Sequence, residues 1–365
     1  MMCRTQTERS GWRKTAVVIA CLLVSTLIAC GGGSSSSTVP HLAYVAGGQT
    51  NVVGLRIKST GEFQTILGSP FVSGNGPSSV IVHPSNKFLF VANQSEGTIS
   101  LFTINPNSGA LTEVLPRTPA GTSPVAMVMD SGGTLLFVAN QGANPSILVF
   151  SIGSNGALSA VGLPTPLGSS PSGLTLTASG NFLYVPVPNF SAIYAFAVSS
   201  GTLTPVAAPF FVSDGVATVA VDPAGKFLFV PNPSTNTVTV LKIQASPPGN
   251  LATGAGAFAA SSLPVAATTD LSGAYLYVTN FGSTAISQYS VDATTGALTA
   301  LTTSTPTAGT NPTFIVPDPD GRFLFVGNQG SSSLTEFIIK PDGSLAPTNN
   351  SVTLGVQPRS LSVEK

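Results

Sequence analysis

Few side chains in this sequence are suited to chemistry. Beyond residue 29 the chain has one Cys, Cys30, and two His, His41 and His83. A lone thiol excludes an internal disulfide and a thiolate metal site. His83 precedes Pro84 between two apolar runs, which is typical of a turn residue. The sequence therefore predicts neither a metal nor a cofactor.

Three ionisable residues, Glu96, Asp214 and Arg359, are the candidates for catalysis. Each lies in or beside a segment that connects two apolar runs, and a general acid or base would have to come from them. In the order of the repeats described below, Glu96 is adjacent to Arg359 and Asp214 lies across the ring from it. Ordinary solvated loop residues would be scattered in the same way, so both interpretations stay open.

Five Asn residues follow apolar runs at matching positions: Asn93, Asn140, Asn232, Asn280 and Asn328. Carboxamides placed round the mouth of a channel could bind a polyol or another neutral ligand. Asn also ends strands by bonding to nearby backbone, which explains the recurrence without a ligand. We treat the five as candidate ligand-binding residues with that structural alternative.

The elements that must position these residues are seven copies of one apolar strand. Each copy closes on a Val, at Val45, Val91, Val138, Val185, Val230, Val278 and Val326, in steps of 46, 47, 47, 45, 48 and 48 residues. That period is typical of propeller blades rather than of helical repeats. Each copy reads as the second of four strands, and its successive apolar positions indicate that both faces are covered.

The chain ends complete the ring. The copy at 42–46 has no opening strand before it, whereas 357–363 is an opening strand with nothing after it. The sequence therefore predicts an all-β, seven-bladed β-propeller of four-stranded antiparallel blades, closed by joining the N- and C-terminal strands in one blade. Turns rich in Asp and Gly are expected on one rim, and the candidate site on the other.

The first 39 residues are predicted to target and tether the protein. Residues 1–29 combine basic residues with a short apolar run, and Leu27-Ile28-Ala29-Cys30 resembles the bacterial lipobox. We expect 1–29 to be a lipoprotein signal peptide, 30–39 to be a lipidated Cys30 with a Gly/Ser tether, and 40–365 to be the propeller. A plain cleaved signal is the alternative. The protein would then be extracytoplasmic and held by its lipid on a bacterial membrane, in the periplasm or at the cell surface.

Composition removes nucleic acid from the expected partners. Charged residues make up 8% of the chain, with 14 Lys and Arg against 14 Asp and Glu. Nucleic-acid binding depends on clustered Lys and Arg, and no such cluster is present in the propeller repeats.

The segment 275–280, Tyr-Leu-Tyr-Val-Thr-Asn, carries a family resemblance, and 88–93 is close to it. Residues 41–365 resemble the seven-bladed propellers that include bacterial 6-phosphogluconolactonases, fungal carboxymuconate-lactonising enzymes and YVTN-repeat surface proteins. The resemblance implies lactone hydrolysis, with a His after the Pro of an inner strand, beside Glu and Arg. The matching positions here carry no His: Ser78, Val125, Ser172, Val216, Val265, Thr313 and Arg359.

Because that His is not found, whether the protein is an enzyme stays open. We predict a membrane-anchored propeller that acts as a binding or envelope module, for a neutral small molecule or a cell-envelope component. The alternative is a lactonase-family hydrolase acting on a sugar lactone or a related lactone. A phosphorylated lactone is disfavoured, since a phosphate entering a channel needs several cationic or N–H donors and the expected rim offers Arg359.

The lipobox generates the first testable prediction. We expect Cys30→Ala to leave the protein unprocessed or released from membranes, because acylation needs the thiol. Mass spectrometry of the membrane fraction checks this, and Cys21→Ala is the matched control that should retain the anchor. A mature N-terminus other than Cys30, without a lipid, would contradict it.

Overall fold

The computed structural model describes residues 40–213, 215–301 and 306–364, and residues 1–39 with their predicted signal and tether lie outside that description. The described chain forms seven antiparallel sheets, each with four strands in its main order, and three of them have a short fifth strand. The first strands of neighbouring sheets contact one another, which places them nearest the ring axis. This confirms the predicted all-β, seven-bladed propeller. The described residues contain no helix with the length and apolarity that crossing a membrane requires.

The strands are given from the axis outward. Blade 1 comprises Pro358–Val363, His41–Gly47, Asn51–Ile57 and Phe63–Thr65, with the short strand Phe71–Val72 beside the third. Blade 2 comprises Pro77–Val82, Phe88–Asn93, Thr98–Ile104 and Leu111–Pro119. Blade 3 comprises Pro124–Met129, Leu135–Asn140, Ser146–Ile152 and Leu158–Ala160, with Thr165–Pro166 beside the third.

Blade 4 comprises Thr175–Leu176, Phe182–Val187, Ala192–Ser199 and Thr202–Pro205, with Phe210–Phe211 beside the third and the 3-10 turn Pro188–Phe190. Blade 5 comprises Ala220–Val221, Phe227–Asn232, Thr237–Ala245 and Pro248–Ala259. Blade 6 comprises Pro264–Thr269, Tyr275–Asn280, Ile286–Val291 and Leu298–Ala300. Blade 7 comprises Pro312–Pro317, Phe323–Asn328, Ser333–Ile339 and Leu345–Thr353.

The second strand of each blade is apolar throughout because each of its faces packs on a different neighbour. In blade 2, Leu89 and Val91 belong to the cluster that contains Tyr44 of blade 1. Phe90 and Ala92 belong to the cluster that contains Leu136 of blade 3. Successive side chains of a strand point to opposite faces, so one strand contributes to the core on both sides.

Three buried tyrosines add a directional contact between blades. Their phenol groups donate to the carbonyl oxygen of a turn glycine in the next blade: Tyr44 to Gly109 at 2.7 Å, Tyr184 to Gly249 at 2.9 Å, and Tyr277 to Gly343 at 2.8 Å. Each glycine has a positive φ, between 76° and 78°, which L side chains rarely adopt. Burial raises the pKa of all three tyrosines above the usual range, so the phenols keep the protons that they donate.

The ring closes between the two ends of the chain, as predicted. Pro358–Val363 pairs antiparallel with His41–Gly47, with Val363 opposite Ala43 and Leu361 opposite Val45. The closing strand therefore gives the first blade its fourth strand and covers the backbone edge that His41–Gly47 would otherwise expose.

The seam between blades 7 and 1 also contains a buried carboxyl group. Glu336 lies 1% exposed on the third strand of blade 7, and its carboxylate packs directly on Gly61 of blade 1. Oε1 accepts a 3.4 Å bond from Asn350, and Oε2 has no hydrogen-bond partner among the described residues. Burial in these surroundings raises the pKa of Glu336 to about 7.

Closure generates the second prediction. Ending the chain before Pro358 should lower the melting temperature by more than about 5 °C or cause aggregation, because it exposes the pairing edge of His41–Gly47. Calorimetry and size-exclusion chromatography measure both effects, with a chain that ends at Glu364 as the control. A truncated protein that stays monomeric with an unchanged melting temperature would show that pairing of the closing strand does not stabilise the folded ring.

Glu336 generates the third prediction. Its pKa is raised in the folded state, so the native protein holds the proton more firmly than the unfolded chain does. The contribution of the protonated Glu336 to the free energy of unfolding is complete below the unfolded pKa near 4.5 and is lost as the pH rises through about 7. Glu336→Gln should therefore remove about 2–3 kcal/mol of the decline in unfolding free energy between pH 4 and pH 8.

Urea denaturation at the two pH values checks this difference. Glu62→Gln is the matched control, because the Glu62 side chain is 61% exposed and pairs with Lys58 on the surface. Identical pH dependence in wild type and Glu336→Gln would contradict the prediction.

Candidate functional site

Two rims of different chemistry bound the ring. The turns that connect first to second strands, and third to fourth strands, form the turn rim. Both ends of the described chain also lie on this rim, because the backbone N–H of Glu364 donates to the carbonyl oxygen of Leu42. The loops that follow second strands and precede first strands form the mouth rim. The turn rim carries most of the charged residues, and the mouth rim is largely lined by neutral polar ones.

A cavity of about 640 Å³ opens on the mouth rim where blades 7 and 1 meet. Its polar lining comprises Gln49, Thr50, Asn51, Ser332, Gln357 and Arg359. Arg359 is the second residue of the closing strand, so ring closure brings to the cavity the one charged group among its described lining residues. The remaining polar groups suit hydroxyl and carbonyl partners.

Arg359 itself forms one side-chain hydrogen bond within the described chain. Its Nη1 donates a 2.8 Å bond to Oε1 of Gln94, in the loop after the second strand of blade 2. Within the described chain Arg359 forms no ion pair with a carboxylate. A guanidinium has five N–H donors in a planar fork, so this one retains donors for a carbonyl oxygen or carboxylate.

Glu96 lies on the same rim, as expected, but its carboxylate is engaged. Oε2 accepts the backbone N–H of Asn75 at 3.0 Å, and the guanidinium of Arg117 bonds to Oε1 at 3.0 Å and to Oε2 at 3.2 Å. The Asn75 N–H, followed by the bond to Arg117, lowers the pKa of Glu96. A carboxylate with a lowered pKa and bound donors is a poor general base near neutral pH.

Asp214 lies outside the described residues, so its predicted catalytic role stays a prediction. Its neighbours Ser213 and Gly215 belong to the loop before the first strand of blade 5, which is part of the mouth rim.

The five candidate Asn residues are all completely buried at the ends of second strands. Four donate Nδ2 to a hydroxyl seven residues later on the third strand: Asn93 to Ser100, Asn232 to Thr239, Asn280 to Ser287 and Asn328 to Thr335, at 2.6–3.1 Å. Asn140 has an apolar Ile147 at that position and no such bond. The recurring Asn-x6-Ser/Thr spacing is the sequence signal for this hydrogen bond between the second and third strands. Ligand binding by the ring stays a prediction that these surroundings do not favour.

His41, Asp318 and Asp320 form the one cluster of potential metal ligands found in the described chain, with ligand atoms within 4.8 Å of one another. It lies on the turn rim. His41 Nε2 and Asp320 Oδ2 are 3.0 Å apart and pair with each other, and Asp318 Oδ1 accepts the N–H of Phe323. The contact between His41 and Asp320 joins blades 1 and 7.

This fold and rim define a seven-bladed propeller with a mouth-rim cavity where, among the described residues, Arg359 forms no ion pair and the other lining groups are uncharged. The chain belongs to the lactonase family of seven-bladed β-propellers: the family model "Lactonase, 7-bladed beta-propeller" matches residues 36–170, 144–268 and 250–363. No curated protein matches the chain by sequence.

Solved structures share the fold at low identity. A Bacteroides fragilis protein described as a candidate 6-phosphogluconolactonase is 20% identical, with a TM-score of 0.77 over 91% of this chain and 99% of that chain. A similar candidate from Bacteroides uniformis is 16% identical, with a TM-score of 0.77 over 88% and 99%. The periplasmic gluconolactonase of Pseudomonas aeruginosa is 18% identical, with a TM-score of 0.73 over 90% and 99%.

Proposed function

We propose that the protein hydrolyses an unphosphorylated lactone at the mouth rim beside Arg359. The observation that carries this proposal is a cavity of about 640 Å³ in which, among the described lining residues, Arg359 is the charged group and forms no ion pair. The sequence analysis favoured a binding or envelope module, but membership in the lactonase family supports the hydrolase alternative more strongly.

The chemistry asks for stabilisation of one developing negative charge. Water adds to the lactone carbonyl, the tetrahedral oxyanion collapses, and the ring C–O bond breaks to give a carboxylate and a hydroxyl group. Free N–H groups of Arg359 would donate to the oxyanion and then to the product carboxylate. One water is consumed and one proton is released.

The base that activates this water is assigned to Asp214 as part of the proposal. The proposal prefers Asp214 to Glu96 for that role, because Asn75 and Arg117 donate hydrogen bonds to the Glu96 oxygens. Asp214 belongs by sequence to the mouth-rim loop of blade 5, across the ring from blade 1.

The substrate class follows from the charge of the cavity. A phosphate group carries about two negative charges and strong hydration, so its entry requires several cations or N–H donors. The cavity lining has Arg359 as its charged member. Side chains such as Gln49, Thr50 and Asn51 suit ring hydroxyls instead, which favours a neutral sugar lactone. The structural neighbour named a periplasmic gluconolactonase is consistent with that class.

We further propose that this reaction takes place outside the cytoplasm, on a protein tethered through Cys30. The support is the lipobox-like Leu27-Ile28-Ala29-Cys30 and the Gly/Ser-rich stretch that follows it. Phosphorylated sugars are made in the cytoplasm, so this location agrees with an unphosphorylated substrate.

A binding module remains the second candidate function. One observation favours it. Within the described part of the mouth rim, Glu96 is the carboxylate nearest Arg359 in blade order, and its oxygens already accept hydrogen bonds from Asn75 and Arg117. Such a protein would hold a neutral ligand at the cavity without turnover.

The fourth prediction separates these functions. The purified protein should hydrolyse neutral aldonolactones and show little activity on 6-phosphogluconolactone. Arg359→Ala should lower kcat about 100-fold, the usual loss when one oxyanion donor is removed, and Asp214→Ala should lower it too. Arg56→Ala is the matched control, because Arg56 bonds to Asn107 on the turn rim.

Lactone consumption followed by titration of released acid measures these rates, and calorimetry measures binding. Binding without turnover would support the second candidate function. Efficient turnover of the phosphorylated lactone, or turnover unaffected by Arg359→Ala, would overturn the assignment of this cavity.

A further inference from the structure

We propose that Arg117 and Glu96 are positioning residues for the candidate site: together they fix the rim segment 73–76, and that segment sets the place of Arg359. This inference rests on the proposed function for its role in catalysis. Its structural part rests on a continuous chain of contacts from the outer edge of blade 2 to the cavity.

The chain begins with one arginine between two carboxylates. Arg117 makes a paired contact with Glu113, Nε to Oε1 at 2.7 Å and Nη2 to Oε2 at 3.1 Å. Its third nitrogen, Nη1, bonds to both oxygens of Glu96. All three side chains are between 17% and 27% exposed. A planar guanidinium with its donors engaged in this way is held in one orientation.

A bulge in the outer strand brings Arg117 to this place. The register between the third and fourth strands of blade 2 shifts, so that Val114 pairs with Leu101 and Thr118 with Ile99. The extra residues bring Glu113 and Arg117 together, and they carry Arg117 towards the mouth rim. Bulges commonly redirect side chains in this manner.

Glu96 passes the constraint to segment 73–76. Its Oε2 accepts the Asn75 N–H at 3.0 Å, and the segment lies tightly against it. A Cβ at Gly74 would lie 2.5 Å from Nδ2 of Asn93 and 2.6 Å from Oε2 of Glu96. Position 74 therefore tolerates only glycine while both side chains keep their places.

Segment 73–76 in turn holds both walls of the Arg359 site. Gly76 O accepts the N–H of Gln94 at 2.7 Å, and Gly76 N donates to Gln49 O at 2.6 Å. Gln94 is the partner of Arg359, and Gln49 lines the cavity. A displaced segment would move the guanidinium and the cavity wall together.

Other blades lack this charged arrangement at the matching loop position. Thr235, Ser283 and Ser331 stand where blade 2 has Glu96, and their hydroxyls bond within the same loop. Blade 2 is the neighbour of blade 1, which carries Arg359. We call the contacts of Arg117 with Glu113 and Glu96, and of Glu96 with segment 73–76, the brace. The brace occurs in the blade whose loop contacts Arg359.

Hydrogen exchange of the full-length protein tests the brace directly. Arg117→Gln and Glu96→Gln should make the amides of Asn75 and Gln94 exchange about 10-fold faster, because a local opening becomes easier. Arg117→Lys should restore part of the protection, and Arg56→Gln on the turn rim should change nothing there. Wild-type exchange at both amides in Arg117→Gln would overturn the proposal.

Kinetics on a neutral lactone then tests the positioning role. Arg117→Gln should lower kcat about 10-fold with a smaller change in KM, since misplacement of a transition-state donor costs rate. Faster exchange with unchanged kcat would overturn that role. If the wild type hydrolyses no lactone, the proposed function fails, while exchange still decides the brace.

A second variant keeps the test independent of charge. Gly74→Ala should loosen the same two amides by steric displacement. Gly173→Ala is its control, because a Cβ at Gly173 meets no atom closer than 3.9 Å. Protected amides in Gly74→Ala would count against the brace even if Arg117→Gln did not fold.

Discussion

Face-to-face packing of the second strands is the interaction on which the rest of this structure depends. Each of these strands contributes apolar side chains to clusters on both of its faces, so no blade has a core of its own. A blade removed from its neighbours would expose two apolar faces, and burial of such surface contributes about 25 cal/mol per Å². The blades therefore stabilise one another only as a closed ring.

The ring closes at the seam between blades 7 and 1, and this seam carries charged and buried ionisable groups that do not recur in the other blades. The closing strand carries Arg359 to the mouth rim. On the turn-rim side of the same seam His41 pairs with Asp320, and Glu336 packs on Gly61. In other blades the position of Glu336 is filled by residues such as Leu101 and Val149. A buried carboxyl with one unpartnered oxygen and a raised pKa is the basis for expecting that the strength of this seam depends on protonation.

Sequence periodicity was sufficient to predict the ring, the blade count and the closing strand, because a two-sided strand and a recurring turn each leave a local signature. It was not sufficient for the site. Glu96 and Arg117 are 21 residues apart and meet only through a bulge that no local pattern indicates. The five Asn residues were predicted at the correct strand ends. The direction in which each side chain points depends, however, on a hydroxyl group seven residues later, which belongs to the next strand.

The distribution of charge over the two rims also bears on what the ring can bind. Turns between first and second strands need acceptors for backbone N–H groups, and Asp130, Asp222, Asp270 and Asp318 supply them. On the mouth rim the acceptors of backbone N–H groups include neutral side chains, such as Asn236 and Ser283, and one carboxylate, Glu96 of blade 2. The structural turns therefore place most of the described carboxylates on the turn rim, and the mouth rim carries fewer charged groups. Glu96 is paired with Arg117, and among the described residues that line the cavity Arg359 is the charged one. A ligand that develops one negative charge during reaction therefore fits this cavity better than one that arrives with two.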